Sequence, residues 1–292
     1  IHPFWLRERV DGEEFLDKGT QQRLFDPSTM DGKIVINNAE IKNGYLEINF
    51  NDGVNSKIEI NKLEAEFSNK DDISKSITKI KWDSTLENVK NFSYKENFFE
   101  SKEMYELLVS FYKYGFVIIK NVPTENNFIV KFANSIGSVR RTNFGEHFNV
   151  MSKLNPNDLA YTTLHLSPHT DNPYRNPVPC IQLLHCIENE VSGGLSTLVD
   201  GYTVTENLKL ENPEYYKILS EVKVRFKFID NSVVLEDWSE LIHLDENKEF
   251  KQIRFSPRLD YVPMLEKNKL DLYYKARKRL SDLYNSEKNM MN

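Results

Sequence analysis

Hydrophobic residues follow two different spacings along this chain, and the spacing changes near residue 100. After Ser101 they recur at three- and four-residue steps, which predicts one face of a helix. The residues on this face are Met104, Leu107, Leu108, Phe111 and Tyr112. Gly115 ends the predicted helix, and the apolar run 116–119 predicts a buried strand. Further helices are predicted over 128–136 and about 265–284, with short strands between 161 and 255.

The first third of the chain has a different pattern, in which short apolar runs predict strands. The runs cover residues 34–36, 45–50 and 58–60, and glycine-containing turns such as Asn43-Gly44 separate them. We therefore expect a small β-rich N-terminal domain over residues 1–85. An irregular linker is expected over 86–100, and a second domain over 101–292.

The composition and net charge of the chain argue against several classes of protein. The net charge of −6 provides no basic field for nucleic acid. Apolar runs are far shorter than a membrane span. The two cysteines, Cys180 and Cys186, cannot form a disulfide framework, so we expect a cytoplasmic protein without nucleic-acid or membrane partners. Because the sequence opens at Ile1 without a Met, we also expect a fragment.

The sharpest chemical signal is the triplet His169-Thr170-Asp171. On an extended segment, residues two apart project to the same side, so the imidazole and the carboxylate can reach one ion. Two such ligands and a distant histidine form the facial triad of non-haem Fe(II) sites. The alternative is a polar turn, because the following Asn172 and Pro173 are good turn residues.

The surroundings of this triplet resemble the γ-butyrobetaine and trimethyllysine dioxygenases, within the taurine-dioxygenase-like oxygenases. The stretches that carry the resemblance are 160–163, 169–175, 177–179, 182–186 and 193–201, with weaker likeness at 2–9, 22–26 and 254–260. The resemblance implies a double-stranded β-helix, or jelly roll, with flanking helices from about residue 95. It also implies Fe(II) on His169 and Asp171, with 2-oxoglutarate and oxygen as cosubstrates.

The resemblance also nominates Ser196, in a Gly-Gly-x-Ser turn, for the 2-oxoglutarate carboxylate, although a serine there can be only a turn residue. His185 is interpreted as a packed core histidine. His165 is interpreted as a loop residue, because Pro168 argues against a helix that would pair it with His169. A homodimer is expected by resemblance alone.

The substrate implied by the resemblance is a small trimethylammonium compound, which aromatic faces hold by cation–π contact. The cage positions of the butyrobetaine enzymes match Phe144, Phe148 and Tyr161, and the three matches together favour the cage. The alternative is that both phenylalanines are core residues, with a four-residue spacing that also fits a helix. Asp158 replaces an asparagine that helps bind the substrate carboxylate. Its negative charge keeps trimethyllysine open as an alternative to γ-butyrobetaine and carnitine biosynthesis.

Two further departures from the family pattern shape the expectations. Val10 stands where the family begins a cysteine-rich zinc site, and no cysteine precedes Cys180, so zinc is not expected. The distal histidine ligand and the 2-oxoglutarate arginine are expected after Asn292, so we expect residues 1–292 alone to be inactive. His243 is the first suspect if turnover is seen. The rival hypotheses are a non-catalytic quaternary-amine binding protein and an oxygenase of another substrate.

Overall fold

The chain folds into two compact units, Ile1–Thr78 and Lys79–Asn292. The computed structural model describes residues 1–68, 77–150, 166–189 and 195–291. The boundary precedes the expected one at residue 85, because Trp82 is bonded into the second unit. Its backbone N–H donates to Thr203 Oγ1 at 3.1 Å, and its indole N–H donates to the carbonyl of Tyr114 at 2.8 Å.

The first unit is built around an antiparallel three-stranded sheet, as the glycine turns predict. Its elements are α1 (Pro3–Arg7), β1 (Ile36–Lys42), β2 (Tyr45–Phe50), β3 (Asn55–Glu59) and α2 (Ile60–Phe67). Asn43 and Gly44 both take positive φ, 50° and 79°, at the turn between β1 and β2. Two positive φ values match the twist of a two-residue hairpin, which fixes the β1–β2 pairing.

Arg7 cross-links the interior of this first unit. It is 7% exposed, and its Nε donates to Asp52 Oδ2 at 2.7 Å. Its guanidinium carbon lies 5.4 Å from the centroid of the Phe15 ring and 5.2 Å from that of Phe25. The buried charge of Arg7 is tolerated because a carboxylate and two aromatic rings contact the guanidinium where water molecules would otherwise hydrate it.

The second unit begins with elements that the sequence only partly predicts. They are β4 (Asn91–Ser93), α3 (Lys102–Tyr114), β5 (Ile118–Lys120) and α4 (Phe128–Ile136). Within the range 86–100, where a linker is expected, β4 pairs in parallel with β5. Phe92 and Phe98 are 3% and 0% exposed, and they belong to the same hydrophobic cluster as α3 and α4.

The remainder of the second unit alternates helices with short strands. The helices are α5 (Gly201–Glu211), α6 (Pro213–Glu221) and α7 (Lys267–Tyr284). The strands are β6 (Leu198–Val199), β7 (Val224–Ile229), β8 (Val234–Ser239), β9 (Ile242–Leu244), β10 (Phe250–Ile253), β11 (Asp260–Tyr261) and β12 (Met290–Met291). Alternate residues of β7 are buried, and they pack with α5, α6 and α7 in the largest core.

Strands outnumber helices in the described ranges, as expected, but they do not close a barrel there. In the described part of the second unit there are one three-stranded sheet, β11-β7-β8, and three two-stranded sheets, β10-β9, β12-β6 and β4-β5. No helix among the described residues is long and apolar enough to cross a membrane.

A largely buried ion pair joins α7 to the start of β11. Arg277 on α7 donates to the side chain of Asp260 and, at 3.1 Å, to the carbonyl of Pro257. The Asp260 side chain is fully buried. Burial raises the pKa of Asp260 to about 6, because the loss of water outweighs the favourable charge of Arg277.

This raised pKa predicts a pH-dependent stability difference between the native protein and Asp260→Asn. The folded state binds the proton of Asp260 more tightly than the unfolded state, so the native protein gains stability relative to the variant as the pH falls. The gain is about 2 kcal/mol between pH 7 and pH 4, and it is lost as the pH rises through 6. Urea unfolding of both proteins across this range measures it. A constant difference would contradict the prediction.

Candidate metal centre

His169 and Asp171 lie side by side, as the two-residue spacing predicts. His169 Nε2 is 3.3 Å from Asp171 Oδ1, and the two side chains are 30% and 48% exposed. Both therefore keep a face open to solvent. An imidazole nitrogen and a carboxylate oxygen at this separation can both reach one divalent ion.

The second nitrogen of His169 is held by the chain itself. Nδ1 lies 2.8 Å from the backbone carbonyl of Ser167, so Nδ1–H donates to that carbonyl. This hydrogen bond selects the tautomer in which the lone pair of the neutral ring is on Nε2. Metal-binding histidines are oriented in the same way by an acceptor on their other nitrogen.

The second oxygen of Asp171 is also held. The side-chain amide of Gln182 donates to Asp171 Oδ2 at 2.9 Å, which leaves Oδ1 facing His169. Sequence reasoning assigned no role to Gln182. The only feature of the sequence that sets Gln182 apart is that it is the single polar residue in the otherwise apolar run 181–184.

The hydrogen bond between the two side chains governs their protonation. It raises the pKa of His169 and lowers the pKa of Asp171, against the opposing effect of partial burial. Without metal, these two shifts favour the charged forms, an imidazolium beside a carboxylate. A divalent cation would take the position of the imidazolium proton, which is the fit expected of a metal site.

The residues after Asp171 form the turn that the sequence allows, and this turn is compatible with metal binding by His169 and Asp171. Asn172 has a φ of 51°, a conformation that asparagine tolerates. Its side-chain oxygen accepts from the hydroxyl of Tyr174 at 2.9 Å and from Nε of Arg175 at 3.1 Å. The turn fixes the exit of the chain from the ligand pair.

An aromatic group lies next to this turn. The Phe144 and Phe148 rings are 5.5 Å apart, and Phe144 is also 5.6 Å from Phe228. Phe228 stacks on Tyr174 at 5.0 Å, which connects the group to the turn after Asp171. Phe144 is partly buried against the core, whereas Phe148 is 47% exposed. The two phenylalanines lie outside any helix, so helical packing does not explain their spacing.

The other candidate residues lie apart from the pair or outside the description. Ser196 is exposed, and no side-chain hydrogen bond joins it to the rest of the described chain. His243 on β9 faces Glu240 at 3.5 Å. Both ring nitrogens of His185 are buried, with no hydrogen-bond partner in the described ranges. Three further candidates fall outside the described residues: Asp158, Tyr161 and His165.

The donor set of the pair fits Fe(II), since one imidazole nitrogen and one carboxylate oxygen are two of the three ligands of a facial triad. Over residues 1–68, 77–150, 166–189 and 195–291, no group of three or more histidine, cysteine or acidic side chains is placed to hold a metal. The third ligand of such a triad is therefore not supplied beside the pair by these residues.

Comparison with known proteins identifies the family. A model of the taurine catabolism dioxygenase TauD, TfdA family matches residues 81–292, and the chain belongs to this family. A gamma-butyrobetaine dioxygenase of Pseudomonas sp. (strain AK-1) is 34% identical over 174 residues, which cover 60% of this chain and 45% of the relative. The human gamma-butyrobetaine dioxygenase is 33% identical over 63% of this chain and 48% of its own length.

A second kind of relative is similar over a longer stretch. The mitochondrial trimethyllysine dioxygenase of Rattus norvegicus is 28% identical over 78% of this chain and 55% of its own length. The chain thus spans about half the length of these curated relatives. All three relatives carry the name of a dioxygenase, as the resemblance in the sequence implies.

The geometry predicts that Gln182 supports metal binding through Asp171. Replacing Gln182 with leucine removes the donor to Oδ2, so the carboxylate can rotate away from His169. We expect affinity for Mn(II), measured by titration calorimetry, to fall about tenfold.

Gln252→Leu on β10 is the matched control, because it makes the same chemical change on a half-buried strand without a bond to the pair. It should retain native affinity. Equal affinity in Gln182→Leu and Gln252→Leu would argue against the role of Gln182.

Proposed function

We propose that the protein is an Fe(II)- and 2-oxoglutarate-dependent oxygenase that hydroxylates a small trimethylammonium compound. The preferred candidate for this substrate is γ-butyrobetaine. The observation that carries the proposal is the His169–Asp171 pair, in which Nε2 and Oδ1 face each other at 3.3 Å. The family of the chain and the names of its relatives support it.

His169 Nε2 and Asp171 Oδ1 would hold the iron, and the Ser167 carbonyl and Gln182 would keep them aimed. The bound iron supplies oxygen activation coupled to decarboxylation of 2-oxoglutarate to succinate. The task of the chain is to fix the ligands and to place one C–H bond of the substrate within reach. Ser196 is proposed to donate a hydrogen bond from its hydroxyl group to a carboxylate oxygen of 2-oxoglutarate.

Phe144 and Phe148 are proposed to hold the trimethylammonium group, together with Tyr161. A quaternary ammonium has no N–H to donate, so aromatic faces are the chemistry that can recognise it. The Phe148 residue is 47% exposed, so it lies at the surface of the aromatic group. The contacts from Phe144 through Phe228 to Tyr174 tie this surface to the turn after Asp171.

The anionic end of the substrate distinguishes the two substrate candidates. Asp158 would repel a free carboxylate and attract an α-ammonium group, and this favours trimethyllysine as the second candidate. The second unit is proposed to be a double-stranded β-helix, as the family match supports. The N-terminal unit is proposed as a separate small domain, and homodimerisation and a cytoplasmic location remain part of the proposal.

Turnover of 2-oxoglutarate tests the function directly. The whole protein with Fe(II) should form succinate in the presence of γ-butyrobetaine or trimethyllysine, and one of the two should become hydroxylated. Residues 1–292 alone are expected to give no turnover. Asp171→Asn should reduce turnover at least about a hundredfold, because the amide oxygen is a far weaker ligand. Binding of the substrates without any succinate would instead identify a non-catalytic quaternary-amine binding protein.

The aromatic surface predicts a selective effect on substrate binding. Phe148→Leu should raise KM for the trimethylammonium substrate about 2- to 30-fold with little change in kcat, as expected for loss of a cation–π contact. Phe148→Tyr, which keeps an aromatic face, should behave like the native protein.

The matched ligand control is the isosteric compound in which carbon replaces the quaternary nitrogen. Its affinity should be similar for the native protein and for Phe148→Leu. An equal loss for the charged and the neutral compound would show that Phe148 contributes shape rather than cation recognition.

A further inference from the structure

Thr170, the residue between the two proposed metal ligands, makes hydrogen bonds to a distant part of the chain through its backbone and its side chain. Its backbone N–H donates to the carbonyl of Phe255 at 2.8 Å. The N–H of Phe255 donates in return to Thr170 Oγ1 at 2.9 Å. The two bonds form a closed ring in which the threonine hydroxyl takes the place of a backbone carbonyl.

The partner segment is held firmly from several directions. Phe255 is 1% exposed, and its ring stacks on that of Tyr284 at 4.7 Å with an interplanar angle of 19°. The preceding residue, Arg254, donates its backbone N–H to the carbonyl of Leu241 at 2.8 Å. Phe255 therefore offers Thr170 an attachment point fixed in the core.

The same segment also holds the chain just after the ligand pair. Arg254 is 6% exposed, and its guanidinium donates to the carbonyl of Pro173 at 3.2 Å and to the side chain of Asp237. Residues 170 and 173 are thus both fastened to residues 254–255, and Asp171 lies between the two attachment points.

We infer that Thr170 is a positioning residue for the metal-ligand pair, acting through its hydrogen-bonded ring with Phe255. Successive side chains on an extended segment project to opposite sides, so a bond made by Thr170 holds His169 and Asp171 facing away from the core. The inference rests on the proposed function, because it requires that the pair binds metal.

Loss of the hydroxyl has a specific physical consequence. In Thr170→Val, the buried N–H of Phe255 loses its acceptor, and an unsatisfied buried donor is unfavourable. The segment can recover a partner only by shifting, which moves the ligands relative to each other. Groups that orient metal ligands typically change affinity by about 10- to 100-fold, and we expect a loss in this range.

The experiment compares metal binding by three variants with that of the native protein. Thr170→Val keeps the shape and removes the hydroxyl, whereas Thr170→Ser keeps the hydroxyl. Thr205→Val is the matched control, because Thr205 on α5 is fully buried and its hydroxyl donates to the carbonyl of Gly201 at 2.8 Å. Co(II) titration, followed by calorimetry and by the visible absorption of the bound ion, measures affinity and coordination. Thermal unfolding measures stability.

We expect weaker Co(II) binding and an altered absorption spectrum for Thr170→Val, and near-native binding for Thr170→Ser. Thr205→Val should unfold at lower temperature and bind Co(II) like the native protein. Native affinity in Thr170→Val, or an equal loss in Thr205→Val, would overturn the positioning role while leaving the metal site in place. Absence of Co(II) binding by the native protein would overturn the metal site itself, and the inference with it.

Discussion

The hydrogen-bonded contact between Thr170 and Phe255 is the constraint on which the rest of the candidate site depends. It joins two residues 85 positions apart in sequence, one inside the proposed ligand triplet and one in the largest core. The proposed ligand pair is only partly buried. The geometry of the pair therefore depends on core packing, which fixes Phe255 and through it Thr170. It also depends on the hydrogen bonds of His169 with the Ser167 carbonyl and of Asp171 with Gln182.

The features that the sequence predicted well are those decided by neighbouring residues. The alternation of an extended segment is enough to place His169 beside Asp171. Gly115 ends α3 with a φ of 78°, which glycine adopts without strain. The turn at Asn43-Gly44 follows from the same local freedom. In each case the information lies within a few residues, so no knowledge of the tertiary structure was needed.

The features that the sequence did not yield are decided by distant partners. Residues 86–100 look irregular in sequence, because the burial of Phe92 and Phe98 depends on pairing with β5 and on packing against α3 and α4. The sequence pattern assigns no role to Gln182, and its contact with Asp171 depends on the approach of a chain segment 11 residues away. The placement of Phe144 against Phe228 likewise joins parts of the chain that no periodicity connects.

The long sequence separation of the Thr170–Phe255 contact sets an order of events during biosynthesis. Chains emerge from the ribosome N-terminus first, and domains generally fold as units in that order. The first unit, with its hairpin contacts between near neighbours, can fold while the rest is still being made. His169 and Asp171 are synthesised before their attachment point, which follows 85 residues after Thr170. A nascent chain therefore carries both proposed ligands before it contains the residue that holds them in place.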